Sequence, residues 1–187
     1  MTGDLSQFGD RDLAALALSG RQDAYREFLA RYKAPVFRLI RANVGDEGEA
    51  MDLTQESFVA GFAALARYDG DRPFRVWISR IALNKCRDWT RRRAVRSFFT
   101  RALPLEAAYD VAGDSPTVEM VAADRAQLAR VQRAILDLPA NLREVIVLRG
   151  IEELSQAEAA GMLGVSEKTI ETRLYRARAR LREMLDE

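Results

Sequence analysis

The stretch LSQAEAAGMLGVSEKTIETRLYRARARLREML (Leu154–Leu185) reads as two helices joined by a glycine turn, and it decides the architecture of the last third of the chain. Ser155-Gln156-Ala157-Glu158 has the spacing of a capping box, in which the serine oxygen accepts from the backbone three residues on and the glutamate reaches back to the cap. Ala159 and Ala160 are small enough for close packing, and Leu163-Gly164-Val165 supplies a turn in which glycine adopts positive φ without steric cost. Ser166 caps the next helix, with Glu167 at the end where the helix dipole favours an acid.

In that second helix Ile170, Leu174, Ala177, Leu181 and Leu185 recur at spacings of four, three, four and four, which makes one apolar stripe. Lys168, Thr172, Arg173 and Arg176 lie off the stripe near the amino-terminal end, where a recognition helix meets base edges. Arg178, Arg180 and Arg182 continue the charge in positions suited to phosphates. A solvated basic face is the plain alternative, but two caps, a glycine turn and five arginines between Arg173 and Arg182 favour DNA. Glu171 repels phosphate, so it either faces a cytosine amino group or points away.

Composition narrows the rest. The 187 residues are 48% hydrophobic and 30% charged, enough for one domain or two small ones. The longest apolar stretch, Phe58–Ala66, falls far short of the roughly 20 residues that span a bilayer, so no membrane insertion is expected. Met1–Asp12 carries no signal-peptide pattern, and a single cysteine, Cys86, fits a reducing cytoplasm. With no histidine and one cysteine, a zinc site would need mostly carboxylates, so metal binding is set aside; no Ser-His-Asp or Cys-His constellation is available, and no Walker or GxGxxG loop occurs. No cofactor, metal or catalytic residue is expected, and the chain does not read as an enzyme.

The net charge of +1 conceals segregation. Arg87–Arg101 holds six arginines against Asp88 alone, Asp46–Glu56 is purely acidic, and Ala102–Asp124 holds five acids and no base. Two basic blocks point to two separate anionic contacts. Helical spacing predicts helices near 10–19, 21–42, 47–67, 73–95, 120–137, 140–150, 155–163 and 166–185, and no convincing strand. Pro104, Gly113, Ser115 and Pro116 among acids read as a linker. The expected fold is therefore all-α: a helical domain at 1–95, a linker at 96–119, and a smaller helical domain at 120–187 with little core of its own.

Two helices of the first domain carry more than packing. In the third, Met51, Phe58, Phe62 and Leu65 share one side, while Glu49, Asp52 and Glu56 cluster away from it with Gln55 between. That acidic side is either solvated or a docking surface for a basic partner. In the fourth, Phe74, Ile78, Ile81, Ala82 and Trp89 make the buried stripe with Cys86 at its edge, and Lys85 falls inside it as an inconsistency. The opposite face carries Trp77, Arg80, Asn84, Arg87 and Arg91 at spacings of three, four, three and four. An aromatic plane, an amide and guanidiniums suit unstacked bases and phosphates, although Trp77 is accounted for equally well as core.

Taken in order, these features resemble bacterial sigma factors of the extracytoplasmic-function group of the sigma-70 family. Leu13–Tyr32 matches the opening motif, Asp52–Phe58 the polymerase-binding motif, Phe74–Asp88 running into Arg91–Arg93 the promoter-melting helix, and Leu138–Val145 with the helix-turn-helix the carboxyl domain. The resemblance implies a cytoplasmic transcription initiation factor that directs core RNA polymerase to stress-type promoters. It implies that Asp52, Gln55 and Glu56 contact core polymerase. Trp77, Arg80, Asn84, Arg87 and Arg91 would meet the −10 element, with an extruded base held partly by Tyr68–Arg72. Lys168, Glu171, Thr172, Arg173 and Arg176 would read −35 duplex, and the acidic linker would thread polymerase channels. An anti-sigma factor is an implied further partner. The competing expectations are a stand-alone helix-turn-helix regulator, which leaves 52–58 and 74–93 unexplained, and a sigma mimic that titrates an anti-sigma factor, which has no need of intact basic surfaces.

Overall fold

Asp10, in the acidic first turn of the first helix, ties three helices of the amino-terminal half together. Its carboxylate accepts from the Tyr32 hydroxyl at 2.7 Å and from the Phe74 backbone N–H at 3.1 Å, and lies 3.7 Å from the Arg31 guanidinium. The bond to Phe74 satisfies one of the orphan donors at the start of a 28-residue helix. Arg31 also clamps the leading segment by donating to the carbonyls of Leu5, Ser6 and Phe8.

The computed structural model describes residues 4–101 and 119–186. Over these the chain is all helical: α1 Asp10–Leu18, α2 Gln22–Val44, α3 Glu47–Ala63, a 3-10 turn Leu65–Arg67, α4 Phe74–Arg101, α5 Glu119–Asp137, α6 Ala140–Ile146, a π turn Val147–Ile151, α7 Gln156–Leu163 and α8 Glu167–Asp186. The expected linker falls largely at 102–118, outside the described residues, and α4 runs past its expected end at 95. The expected helix at 140–150 is α6 continued by the π turn, in which the Glu152 N–H donates five residues back to Val147 O.

In the amino-terminal half, α2, α3 and α4 pack on one another around Phe28, Leu39, Ile40, Phe58, Phe74 and Ile78. Phe74 stacks on Phe28 with centroids 4.1 Å apart and meets Tyr68 edge-on at 5.4 Å. A Cβ on Gly61 would sit 2.7 Å from Ile78 Cδ1, so the glycine permits the close approach of α3 to α4.

Three details differ from the sequence expectation. Met51 is 42% exposed rather than core, and the buried side of α3 runs through Ala50, Leu53, Thr54, Ser57 and Phe58. Thr54 and Ser57 enter the core because their hydroxyls donate to the carbonyls of Ala50 and Leu53, each at 2.6 Å, which removes the cost of burying them. In α4 Leu83 is buried while Ile81 is only half-buried. Lys85 reaches Glu56 Oε2 at 3.0 Å with its stem packed, which resolves its place in an apolar stripe.

In the carboxyl-terminal half, Leu138, Val145, Val147, Leu148, Ala159, Met162, Ile170 and Ala177 form the interior. Both halves of the capping box are present at Ser155 and Glu158, and Gly164 takes φ 67° at the turn before α8. The two halves are packed together. Gly45, left-handed at φ 85°, ends α2, and a Cβ there would sit 2.6 Å from Leu136 Cδ1 of α5. Arg143 of α6 donates to Asn43 O near the end of α2 at 2.7 Å.

Candidate nucleic-acid and polymerase interfaces

On α3, Asp52, Gln55 and Glu56 are all exposed and line one shallow depression with Val59, Ala60, Ala63 and Lys85. Glu49, grouped with them by spacing, is engaged elsewhere: its carboxylate accepts from the Trp89 indole N–H at 2.7 Å. Val59, 70% exposed at the centre of this surface, was not singled out in the sequence. Acids around an exposed valine make an amphipathic patch whose charge complements a basic surface.

On α4, Arg80, Asn84 and Arg91 are exposed on one side, whereas Trp77 and Arg87 are half-buried. Trp77 satisfies both sequence readings in part: its ring lies 5.3 Å from Phe74 and 5.4 Å from Tyr68, with its outer portion open. The loop before α4 is pinned at several points. Tyr68 donates to Arg72 O, Asp69 accepts from the Asp71 N–H at 3.1 Å, and Asp71 pairs with Arg11 at 3.0 Å. Burial beside Asp10 and Asp69 pushes the Tyr68 hydroxyl up to about 12, so it stays a donor at neutral pH. Arg91 pairs with Asp88 at 3.3 Å in solvent, an interaction that a phosphate displaces easily. Arg87 is held differently, by Glu144 of α6 at 2.6 Å. The Cys86 thiol beside this pair is pushed up to about 12 by burial and by the Glu144 charge, and is therefore unreactive.

On α8, Ile170 and Ala177 face inward. Lys168, Glu171, Thr172 and Arg176 are exposed and Arg173 is half-buried. Glu171 points outward and accepts from Lys168 Nζ at 3.0 Å, which offsets its charge in the free chain. Thr172 Oγ1 donates back to Lys168 O at 2.9 Å. Tyr175 is 75% exposed on the same face, one turn from Glu171 and Thr172, and sequence reasoning passed over it. An exposed tyrosine is common in isolation, and only its position among outward-facing polar residues marks it.

The geometry thus sets out an acidic patch, a basic-aromatic helix and a helix-turn-helix whose second helix carries exposed basic residues. Residues 28–96 match the family model for sigma-70 region 2, and residues 128–181 that for sigma-70 region 4. This chain belongs to the sigma-70 family, in its extracytoplasmic-function group. It is 45% identical over 180 residues to the RNA polymerase sigma factor CnrH of Cupriavidus metallidurans, covering 95% of this chain and 94% of that one. It is 31% identical over 172 residues to the extracytoplasmic-function sigma factor SigW of Bacillus subtilis, covering 89% and 91%. The solved structure of CnrH in complex with the cytosolic domain of CnrY superposes with a TM-score of 0.69 at 38% identity, covering 95% and 97% of the two chains. As a sigma factor the chain is a transcription initiation factor, directing core RNA polymerase to promoters. A stand-alone helix-turn-helix regulator accounts for the region 4 match and leaves region 2 without a role. No helix among the described residues is long and apolar enough to cross a membrane.

Proposed function

We propose that this sigma factor divides its work among three faces. Asp52, Gln55 and Glu56, around Val59, dock on a basic helical element of core polymerase. Trp77, Arg80, Asn84, Arg87 and Arg91 meet the −10 element as a single strand. Lys168, Glu171, Thr172, Arg173 and Arg176 read −35 duplex in the major groove. Region 2 is assigned to 1–95, the linker to 96–119 and region 4 to 120–187. The factor is a binding protein rather than an enzyme, and it works in the cytoplasm beside polymerase. Because the similar CnrH has been solved with the cytosolic domain of CnrY, a protein partner of the anti-sigma kind is assigned to this chain too.

The observation that carries the −10 assignment is the exposure of Arg80, Asn84 and Arg91 along one side of α4, whose other side is filled by Phe74, Ile78, Ala82 and Trp89. An amide between guanidiniums hydrogen-bonds a base edge while the cations hold the backbone, and this combination is selective for an unstacked strand. Asn84→Ala should therefore impair promoter opening more than closed-complex formation. Permanganate reactivity of thymines near the start site reads opening directly, and a pre-melted bubble template should restore at least part of the loss. A mutant that the bubble fails to rescue removes the melting role from Asn84.

A further inference from the structure

From Lys168 to Arg182 the second helix of the helix-turn-helix carries six cations and one acid, Glu171. An acid there opposes the phosphate attraction on which affinity for DNA chiefly rests. The fold does not turn it away from the outer surface. Ile170 and Ala177 point into the domain, while Glu171 stands on the outward side with Lys168, Thr172 and Tyr175, all four exposed. The Glu171 side chain is 59% exposed, and Lys168 Nζ engages one of its two oxygens at 3.0 Å. The Thr172 hydroxyl proton is already given to Lys168 O, so the carboxylate is the charged acceptor that this turn presents.

An acceptor in the major groove needs a donor, and only cytosine at N4 and adenine at N6 offer one. The two are not equivalent. In an A·T pair the N6 amino group lies between adenine N7 and thymine O4, acceptors that repel a carboxylate from both sides. In a C·G pair the N4 amino group is the outermost polar group of the pattern, with guanine O6 on one side alone. Guanine and thymine edges present acceptors and exclude the carboxylate.

We propose that Glu171 sets base choice at one −35 position, accepting from cytosine N4 and rejecting the other three bases. In the free chain Lys168 neutralises the carboxylate. On the promoter a phosphate takes Lys168, and the carboxylate turns to the base. The six cations of the helix supply the attraction that the acid forgoes. This rests on the assignment of α8 to −35 duplex and adds the base that one residue of it selects.

The test uses holoenzyme on a library in which the −35 element of one responsive promoter is randomised and each template carries a barcode in its transcribed region. Barcode counts give the relative output of every −35 sequence. The parent should favour cytosine on one strand at one position by about tenfold or more, as a good base contact supplies. Glu171→Ala should flatten that position alone and leave the order at the others intact. Glu171→Gln places an amide donor beside the acceptor, which matches adenine N6 and N7 together, so adenine should rise against cytosine there. A profile unchanged in Glu171→Ala overturns the proposal. So does a gain spread evenly over all sequences, which marks a repelling charge without a base contact. A lost preference for any base other than cytosine, or an adenine share that Glu171→Gln leaves unmoved, overturns it as well. Failure of α8 as the −35 reader looks different: the parent itself would show no preference at any −35 position.

Discussion

Ile170 is fully buried in the first turn of α8, and replacing it by alanine tests whether region 4 is a separate cooperative unit. The substitution removes three methyl or methylene groups, worth about 0.8 kcal/mol each, and leaves a cavity that the small surrounding core cannot fill. The expected loss is about 3–4 kcal/mol. A domain of some 60 residues holds only roughly 3–9 kcal/mol, so region 4 should be left marginal, with its melting temperature lowered by on the order of 15 °C. Both tryptophans, Trp77 and Trp89, lie in region 2, which makes the two domains separately visible. Helix loss by circular dichroism should begin early in Ile170→Ala, while the tryptophan fluorescence transition moves far less, by the amount that the contacts between the two halves contribute, Arg143–Asn43, Arg87–Glu144 and Arg75–Glu152 among them. Coincident transitions that shift equally would mean that the chain unfolds as one body, and the division at 96–119 would be wrong.

Two further outcomes follow from the exposed faces. Reversing Asp52 and Glu56 together to lysine should weaken association with core polymerase by at least tenfold in a titration while leaving the melting profile unchanged, since both side chains are in solvent and Glu56 gives up only a surface pair with Lys85. Unchanged affinity would reduce that face to a solvated one. Arg176→Ala should flatten the preference among −35 variants, each good base contact being worth about 1–3 kcal/mol, whereas Lys168→Ala should weaken all variants alike and lower the salt dependence. An intact rank order in Arg176→Ala would pass base reading to Glu171, Thr172, Arg173 or the exposed Tyr175.

What the sequence made legible was local. Ser155, Glu158 and Gly164 act within a few residues of themselves, so their spacing was enough to locate the helix-turn-helix. The faces of α3 and α4 followed from helical periodicity, and Asp52, Gln55, Glu56, Arg80, Asn84 and Arg91 lie exposed as that periodicity requires. The misses have one physical origin, which is that polarity was read without its partner. Thr54 and Ser57 were given no place in the core, and are buried because the preceding turn accepts their hydroxyls. Glu49 looked like part of the docking patch and instead serves the Trp89 indole, while Met51 is left outside. Glu144 and Glu152 drew no reading from the sequence, because nothing local reveals that their arginines lie 57 and 77 residues away. Packing of region 4 against α2 and α4 is a tertiary fact of the same kind.

The central claim is that this chain gives core RNA polymerase its promoter choice. Run-off transcription with purified core polymerase and fragmented genomic DNA from the source organism measures that directly. The account predicts discrete transcripts that appear only when the chain is added and that disappear when Asp52 and Glu56 are reversed to lysine. Transcripts identical with and without the chain, or initiation that survives loss of the acidic patch, would contradict it.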